Sequence, residues 1–162
     1  MKTSLAAPPD PVSSHFIPYA RQFLDAADIE AVCAVLQTNW LTTGPSVRKF
    51  EEAIAVFAGG VPHAVAVSSG TAGLHAAMFA LGIKPADEVI VPSMTFAATA
   101  NCVLYQGGTP VFADVDPGTL LVDPDKVESK ITSKTRAIIG VDYAGHPCDW
   151  DPLEAVCRRH NL

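Results

Sequence analysis

Charged side chains and basic clusters are scarce in this 162-residue sequence. Only 17% of the residues are charged, the formal net charge is −6, and apart from Arg158 and Arg159 the basic residues occur singly. A chain without a basic stripe has little with which to neutralise a phosphate backbone, so nucleic-acid binding is not expected. Apolar residues make up 49% of the chain, and this content also argues against intrinsic disorder.

Signals for export, membrane insertion and metal binding are lacking as well. Residues 1–14 contain three prolines and no apolar core of signal-peptide length, and the most apolar stretch, residues 74–83, is interrupted by a histidine. That stretch is well short of the roughly 20 residues that a membrane helix needs. The four cysteines form no C-x-x-C pair, so neither a disulfide framework nor a zinc site is supported. We therefore predict a flexible lead-in at residues 1–15, no membrane partner, no metal and a cytoplasmic location.

Along the sequence, short apolar segments alternate with segments whose apolar residues recur at helical spacing. Strands are predicted at residues 63–67, 88–91, 109–113 and 136–141. Their starts are 21 to 27 residues apart, which leaves room for a helical crossover and excludes tight hairpins. Helices are predicted at residues 25–37, 46–57, 70–81, 95–105 and 125–131, and from residue 149 or 151 to 160. Because the strands are apolar throughout, we expect an open α/β fold with a mostly parallel sheet and helices on both faces.

The helix boundaries are predicted from capping residues. Asp25 is a plausible N-cap of the first helix, and Ser46 can cap the second. Ser69 can cap the helix that follows the first predicted strand.

The turn at Ser69, Gly70 and Thr71 is the first candidate site. Small residues let an anion approach the backbone, two hydroxyls can donate to it, and the dipole of the following helix favours its charge. The spacing fits a purely structural role equally well, in which Ser69 caps the helix and Gly70 allows the backbone to turn. The glycine fingerprints of dinucleotide-binding and P-loop proteins are both absent.

The turn after the second predicted strand is the other candidate. Pro92 ends the strand, and Phe96 follows near its carboxyl end, where an aromatic ring could stack on a planar ligand. From the residues alone, Phe96 fits a core position better than a cofactor platform. Asp114 and Asp116 are interpreted as turn residues, and His146 is a candidate for substrate contact because it follows the last predicted strand.

Several motifs together, in order and spacing, resemble the N-terminal part of the DegT/DnrJ/EryC1/StrS family of pyridoxal-phosphate-dependent sugar aminotransferases. The resemblance covers nearly all of the chain from about residue 16. Within the family it is strongest to enzymes that aminate C4 of a UDP-linked 4-keto-6-deoxy N-acetylhexosamine in pseudaminic acid biosynthesis. The motifs that carry it are Ile17-Pro18-Tyr19 with Arg21-Gln22, Leu41-Thr42-Thr43-Gly44-Pro45, Ser68-Ser69-Gly70-Thr71-Ala72-Gly73-Leu74-His75, Asp87-Glu88-Val89-Ile90-Val91-Pro92-Ser93-Met94-Thr95-Phe96, Thr109-Pro110-Val111-Phe112 and Gly145-His146-Pro147-Cys148-Asp149.

The resemblance implies a fold, a cofactor and cofactor-binding residues. The fold is the large domain of fold type I, the aspartate-aminotransferase-like class, spanning residues 16–162 but incomplete. Gly70, Thr71 and Ala72 would bind the phosphate of pyridoxal 5'-phosphate, and Phe96 would stack on its pyridine ring. The loop at residues 42–44 matches a segment near the active site of the family's homodimers. The reaction implied moves an amino group from an amino-acid donor, glutamate by analogy, to the keto carbon of a nucleotide sugar.

Two departures limit what the resemblance implies. Asp142 stands where the family commonly has histidine before the Tyr-Ala-Gly segment, so no role is carried over to that position. The chain also ends before the segment in which the family carries its Schiff-base lysine and the acid beside the pyridine nitrogen. We therefore name no catalytic residue and expect the chain alone to be inactive. No lysine of this sequence matches the family motif: Lys2, Lys49, Lys84, Lys126, Lys130 and Lys134.

Two other functional hypotheses stay open at this stage. The chain could be a non-catalytic α/β module that binds a phosphorylated ligand at residues 69–72. A nicotinamide-dependent Rossmann enzyme is the third hypothesis, and the missing glycine fingerprint disfavours it.

Overall fold

The computed structural model describes residues 20–162, and the described residues fall into two units, residues 20–65 and residues 66–162. The predicted lead-in at residues 1–15 and the motif at residues 17–19 lie outside the described residues. Within the described residues, none of the helices has both the length and the apolar character that crossing a membrane requires.

The first unit contributes two helices, α1 (Ala26–Leu36) and α2 (Pro45–Phe57). The predicted N-cap Asp25 is confirmed: its Oδ1 accepts hydrogen bonds from the N–H groups of Ala27 (2.8 Å) and Asp28 (3.1 Å), and Asp28 Oδ2 accepts in return from the Asp25 N–H (3.0 Å). This reciprocal arrangement is a capping box, which satisfies N–H groups that have no acceptor within the helix.

The predicted cap of α2 is wrong. The helix begins one residue earlier than Ser46, at Pro45, with Gly44 as N-cap and no side-chain hydrogen bond to the cap. Proline suits the first helical position, because its fixed φ matches the helix and its missing N–H would have no acceptor there.

The second unit holds a three-stranded parallel sheet, with strands β1 (Glu88–Pro92), β2 (Thr109–Ala113) and β3 (Thr135–Ile138) in the order β2-β1-β3. β1 is therefore the central strand, and Ile90 lies opposite Val111 on one side and Ile138 on the other. The predicted strand at residues 63–67 is wrong. A strand needs a regular ladder of hydrogen bonds to a neighbouring strand, and the structure has no strand at residues 63–67.

Helices cover both faces of this sheet, as predicted. The helices of the second unit are α3 (Gly70–Ala80), α4 (Ala98–Tyr105), α5 (Pro124–Glu128) and α6 (Trp150–His160). The core cluster towards α3 and α4 contains Met78, Ile83, Val89, Val91, Cys102 and Val103. The core cluster towards α5 and α6 contains Ile90, Ala113, Leu121, Val122, Val127, Cys148, Leu153 and Val156. Successive residues of β1 thus face opposite clusters, because side chains alternate along a strand.

An ion cluster joins α5 to α6. Glu128 accepts hydrogen bonds from Arg159 Nε (3.0 Å) and Nη2 (2.8 Å), and its Oε1 lies 3.0 Å from His160 Nε2. The hydrogen bonds and charges of Arg159 and then His160 lower the pKa of Glu128 from 4.5 to about 2. Glu128 therefore stays ionised in the folded chain at pH values where it would be protonated in the unfolded chain.

This lowered pKa predicts an acid-dependent loss of stability. The contribution of Glu128 is fully present above pH 4.5, the ordinary value, and is lost as the pH falls towards about 2. We expect Glu128→Gln to remove this part of the pH dependence in urea unfolding followed by circular dichroism. Glu154→Gln is the matched control, because Glu154 pairs with Arg158 within one helix, and it should keep the dependence. Parallel pH profiles for wild type and Glu128→Gln would contradict the prediction.

Candidate functional site

The N-terminus of α3 presents free amide groups beside an N-cap serine. Ser69 Oγ accepts a hydrogen bond from the Ala72 N–H (3.1 Å), and the Ser69 carbonyl accepts from the Gly73 N–H (3.0 Å). The capping role considered for Ser69 is therefore present. Helix geometry leaves the N–H groups of Gly70 and Thr71 without an acceptor within the helix, so capping and anion binding can coexist at this turn.

The space in front of Gly70 is open. Apart from its chain neighbours and the backbone of its own helix, a Cβ atom built on Gly70 meets no atom within 4 Å, and the backbone there lies outside the left-handed region. Glycine is thus not required by backbone strain at this position. Its effect is to leave the first amides of α3 accessible to a ligand.

The segment that follows β1 is attached to the end of β2. The Ser93 N–H donates to the Ala113 carbonyl (2.8 Å), and Ser93 Oγ donates to Asp114 Oδ1 (3.3 Å). The carboxyl ends of two neighbouring parallel strands therefore meet here, at the edge of the sheet where open α/β folds bind ligands.

Phe96 extends from this segment into solvent, with 77% of its surface exposed. The ring is therefore not packed into the core of the described residues, unlike the core position that the residue type alone suggested. The Phe96 carbonyl accepts a hydrogen bond from the Thr99 N–H (3.0 Å), at the start of α4. The predicted helix from residue 95 thus begins only at Ala98.

A shallow cleft of about 350 Å³ brings the two candidate turns together. Three of the four residues assigned to the cofactor lie in it, namely Gly70, Thr71 and Phe96. The fourth, Ala72, is not among the lining residues, and its N–H is already bonded to Ser69. The full lining is Gly70, Thr71, Leu74, Phe96, Ala98 and Thr99.

Thr99 also lines the cleft, and the sequence patterns did not single it out. Its hydroxyl lies 2.7 Å from that of Thr95, four residues earlier in the segment before α4. The i, i+4 spacing of two threonines was the available signal. It pointed to contact between these residues but not to the cleft, because only the packing of α4 beside α3 places Thr99 near Gly70 and Thr71.

The loop after β3 is held by its own contacts. Asp142 Oδ1 accepts a hydrogen bond from the Cys148 N–H (2.9 Å), and burial raises the pKa of the Cys148 thiol. A Cβ on Gly140 would lie 2.6 Å from Trp150 Cη2, so the ring packs directly on the glycine. His146 is exposed and does not line the cleft. The carboxylate of Asp142, the residue that departs from the family pattern, therefore stabilises this loop.

The other sequence candidates have structural roles. Asp116 Oδ1 accepts from the N–H groups of Gly118 (2.9 Å) and Thr119 (2.8 Å), and these contacts, chiefly those of Thr119, lower the pKa of Asp116. This confirms the turn interpretation. The loop at residues 42–44 belongs to the first unit, where Gly44 is the N-cap of α2. Among residues 20–162, no three His, Cys, Asp or Glu side chains are grouped so as to hold a metal ion.

Comparisons with known proteins identify several similar chains. The spore coat polysaccharide biosynthesis protein SpsC of Bacillus subtilis (strain 168) is 44% identical over 149 residues, which is 92% of this chain and 38% of SpsC. Spr1654 of Streptococcus pneumoniae, solved in PLP and PMP forms, superposes with a TM-score of 0.84 at 36% identity, over 89% of this chain and 36% of that protein. An aminotransferase of Psychrobacter cryohalolentis superposes with a TM-score of 0.82 at 38% identity, over 90% and 37%.

The chain thus spans less than two-fifths of the length of these relatives. The family match itself runs over residues 22–162, which include the whole sheet and every residue of the cleft. The identities and superpositions extend over most of this chain. The chain belongs to the DegT/DnrJ/EryC1/StrS aminotransferase family.

Proposed function

We propose that this chain forms the cofactor-binding part of a sugar aminotransferase that uses pyridoxal 5'-phosphate. The observation that carries the proposal is the cleft in which the open N-terminus of α3 faces an exposed aromatic ring. One side offers amide donors and the other a flat apolar surface. A phosphorylated aromatic ring needs both at once.

The residues present fit this cofactor. The N–H groups of Gly70 and Thr71 and the Thr71 hydroxyl supply donors for a phosphate, and the helix dipole adds favourable charge. Phe96 offers its ring for stacking, and Leu74 and Ala98 make the rest of the lining apolar. Ala72 contributes a small side chain to the turn, while its N–H stabilises the Ser69 cap.

When bound, pyridoxal phosphate supplies an electron sink and carries the amino group between donor and acceptor. The part of this chain is to bind and orient the cofactor. The α3 amides fix the phosphate at one end, and Phe96 fixes the plane of the ring. Stacking on Phe96 also excludes water from one face of the ring.

The finer features of the reaction rest on the sequence resemblance. We propose C4 of a UDP-linked 4-keto-6-deoxy N-acetylhexosamine as the amino acceptor, as in pseudaminic acid biosynthesis, and glutamate as the amino donor. We also propose that the active enzyme is a homodimer and that the catalytic lysine comes from a segment outside residues 1–162. SpsC, by its name, acts in polysaccharide biosynthesis, which is compatible with a sugar substrate.

A second candidate function is binding of a phosphorylated ligand without catalysis. It is favoured by one observation: none of the six residues that line the cleft in the described structure is a lysine. Both candidates need the phosphate site, but only the first needs an aromatic ring on the ligand. A substitution at Phe96 therefore distinguishes them.

Phe96→Ala is expected to weaken binding of pyridoxal phosphate by about tenfold, because the stacking surface is lost. Binding of inorganic phosphate should change less than about twofold, because the α3 amides are untouched. Isothermal titration calorimetry of the 162-residue chain with each ligand measures both affinities. Phe96→Trp is the matched control and should keep the affinity for pyridoxal phosphate.

The outcomes are distinct. An equal loss for both ligands, or no loss for either, would contradict the stacking role of Phe96. Tight binding of phosphate without any preference for pyridoxal phosphate in the wild type would favour the non-catalytic module.

A further inference from the structure

Thr99 makes two hydrogen bonds to the short segment that carries Phe96. Its N–H donates to the Phe96 carbonyl (3.0 Å), and its hydroxyl pairs with the Thr95 hydroxyl (2.7 Å). The two contacts bracket Phe96 on both sides along the chain. They hold the backbone of the segment from the first turn of α4.

The contact between the Thr99 and Thr95 hydroxyls matters because Thr99 is buried. Only 5% of Thr99 is exposed, while 77% of Phe96 is exposed. A buried hydroxyl without a partner costs free energy, and the contact with the Thr95 hydroxyl satisfies the buried hydroxyl of Thr99. The buried residue therefore restrains the segment from which the exposed ring projects.

The start of α4 does not require a hydroxyl group on residue 99. The orphan N–H of Thr99 at the helix start is already satisfied by the Phe96 carbonyl, and the N-cap Ala97 makes no side-chain cap. Valine would fill the same volume and would pack as well against apolar neighbours. The hydroxyl adds only the bond to Thr95, within the segment that bears Phe96.

We propose that Thr99 is a positioning residue, which holds Phe96 at the mouth of the cleft in the orientation that stacks on the ring of the cofactor. This inference rests on the proposed function, since it assigns a ring-bearing ligand to the cleft. Thr99 acts through the conformation of residues 95–97. An ordered segment loses less conformational entropy when the ligand binds.

Thr99→Val is expected to weaken binding of pyridoxal phosphate about three- to tenfold while binding of inorganic phosphate changes less than about twofold. Thr99→Ser should restore most of the affinity, because it returns the hydroxyl. Thr135→Val is the matched control: Thr135 is also buried, and its hydroxyl accepts from the Thr132 N–H (2.9 Å) in another part of the second unit. Thr135→Val should leave the ratio of the two affinities unchanged.

A second measurement needs no ligand. Fluorine NMR of the chain labelled with 4-fluorophenylalanine reports the environment of Phe96, whose signal is identified by its loss in Phe96→Leu. We expect Thr99→Val to shift and broaden this signal and Thr135→Val to leave it in place. An unchanged signal in Thr99→Val overturns the positioning role, whatever the ligand.

The two proposals fail in different ways. If wild type shows no preference for pyridoxal phosphate over inorganic phosphate, the proposed cofactor function fails and the inference falls with it. If wild type shows the preference and Thr99→Val keeps it, only the inference is overturned. If Thr135→Val lowers the preference as much as Thr99→Val does, the effect is general destabilisation and the inference is likewise overturned.

Discussion

Ile90→Ala is expected to lower the free energy of unfolding of the second unit by about 2–5 kcal/mol. Ile90 is fully buried at the centre of the middle strand, within the cluster that faces α5 and α6. Removing its outer carbons leaves a cavity that a close-packed sheet cannot easily close, because β2 and β3 fix β1 on both sides. Urea unfolding followed by circular dichroism measures the loss.

Leu104→Ala is the control for this substitution. Leu104 lies in α4 with 54% of its surface exposed, so truncation there removes little buried area, and alanine favours the helix. We expect its effect to stay within about 0.5 kcal/mol. A loss below about 1 kcal/mol for Ile90→Ala, or an equal loss for both variants, would be incompatible with a sheet core centred on β1.

Gly70→Leu is expected to weaken binding of both pyridoxal phosphate and inorganic phosphate by about a hundredfold. A side chain on a helix tilts towards the helix N-terminus, so leucine at position 70 would occupy the open space in front of the first amides of α3. Two hydrogen bonds to a charged group would be lost, and together these account for a factor of this size. Calorimetric titration with each ligand measures the effect.

The fold itself should tolerate this change. The Gly70 backbone lies outside the left-handed region, and no atom beyond its chain neighbours and the backbone of its own helix lies within 4 Å of a Cβ there. Gly73→Ala is the matched control, because its Cβ would make an ordinary contact, 3.6 Å from Val67 Cγ2. We expect Gly73→Ala to bind both ligands as wild type does. Undiminished phosphate binding by Gly70→Leu would rule out the α3 amides as the anion site.

Much of the second unit could be predicted from local patterns. The apolar runs of β1, β2 and β3 and the intervening helices were located to within a few residues. The cap at Ser69 was predictable too, since a serine before a helix accepts from an amide three residues later. These features depend on residues that are close together along the chain.

Two predictions made from local patterns were wrong: the strand at residues 63–67 and the helix cap at Ser46. Residues 63–67 have the composition of a strand but are not a strand of the sheet described. Ser46 has the chemistry of a cap, yet Pro45 already begins the helix. In both cases a local preference did not decide the structure, because a strand also needs a regular ladder with a neighbouring strand and because proline suits the first helical position.

By itself, the sequence determined the residue chemistry of the cleft: a small, hydroxyl-bearing turn before one helix and an aromatic residue after one strand. Only the tertiary structure decided that these two turns share one cleft and that Thr99 lines it together with Phe96. The physical reason is that a cap or an apolar run is set by neighbouring residues. The meeting of two turns depends instead on the parallel register of β1 and on how α3 packs against α4.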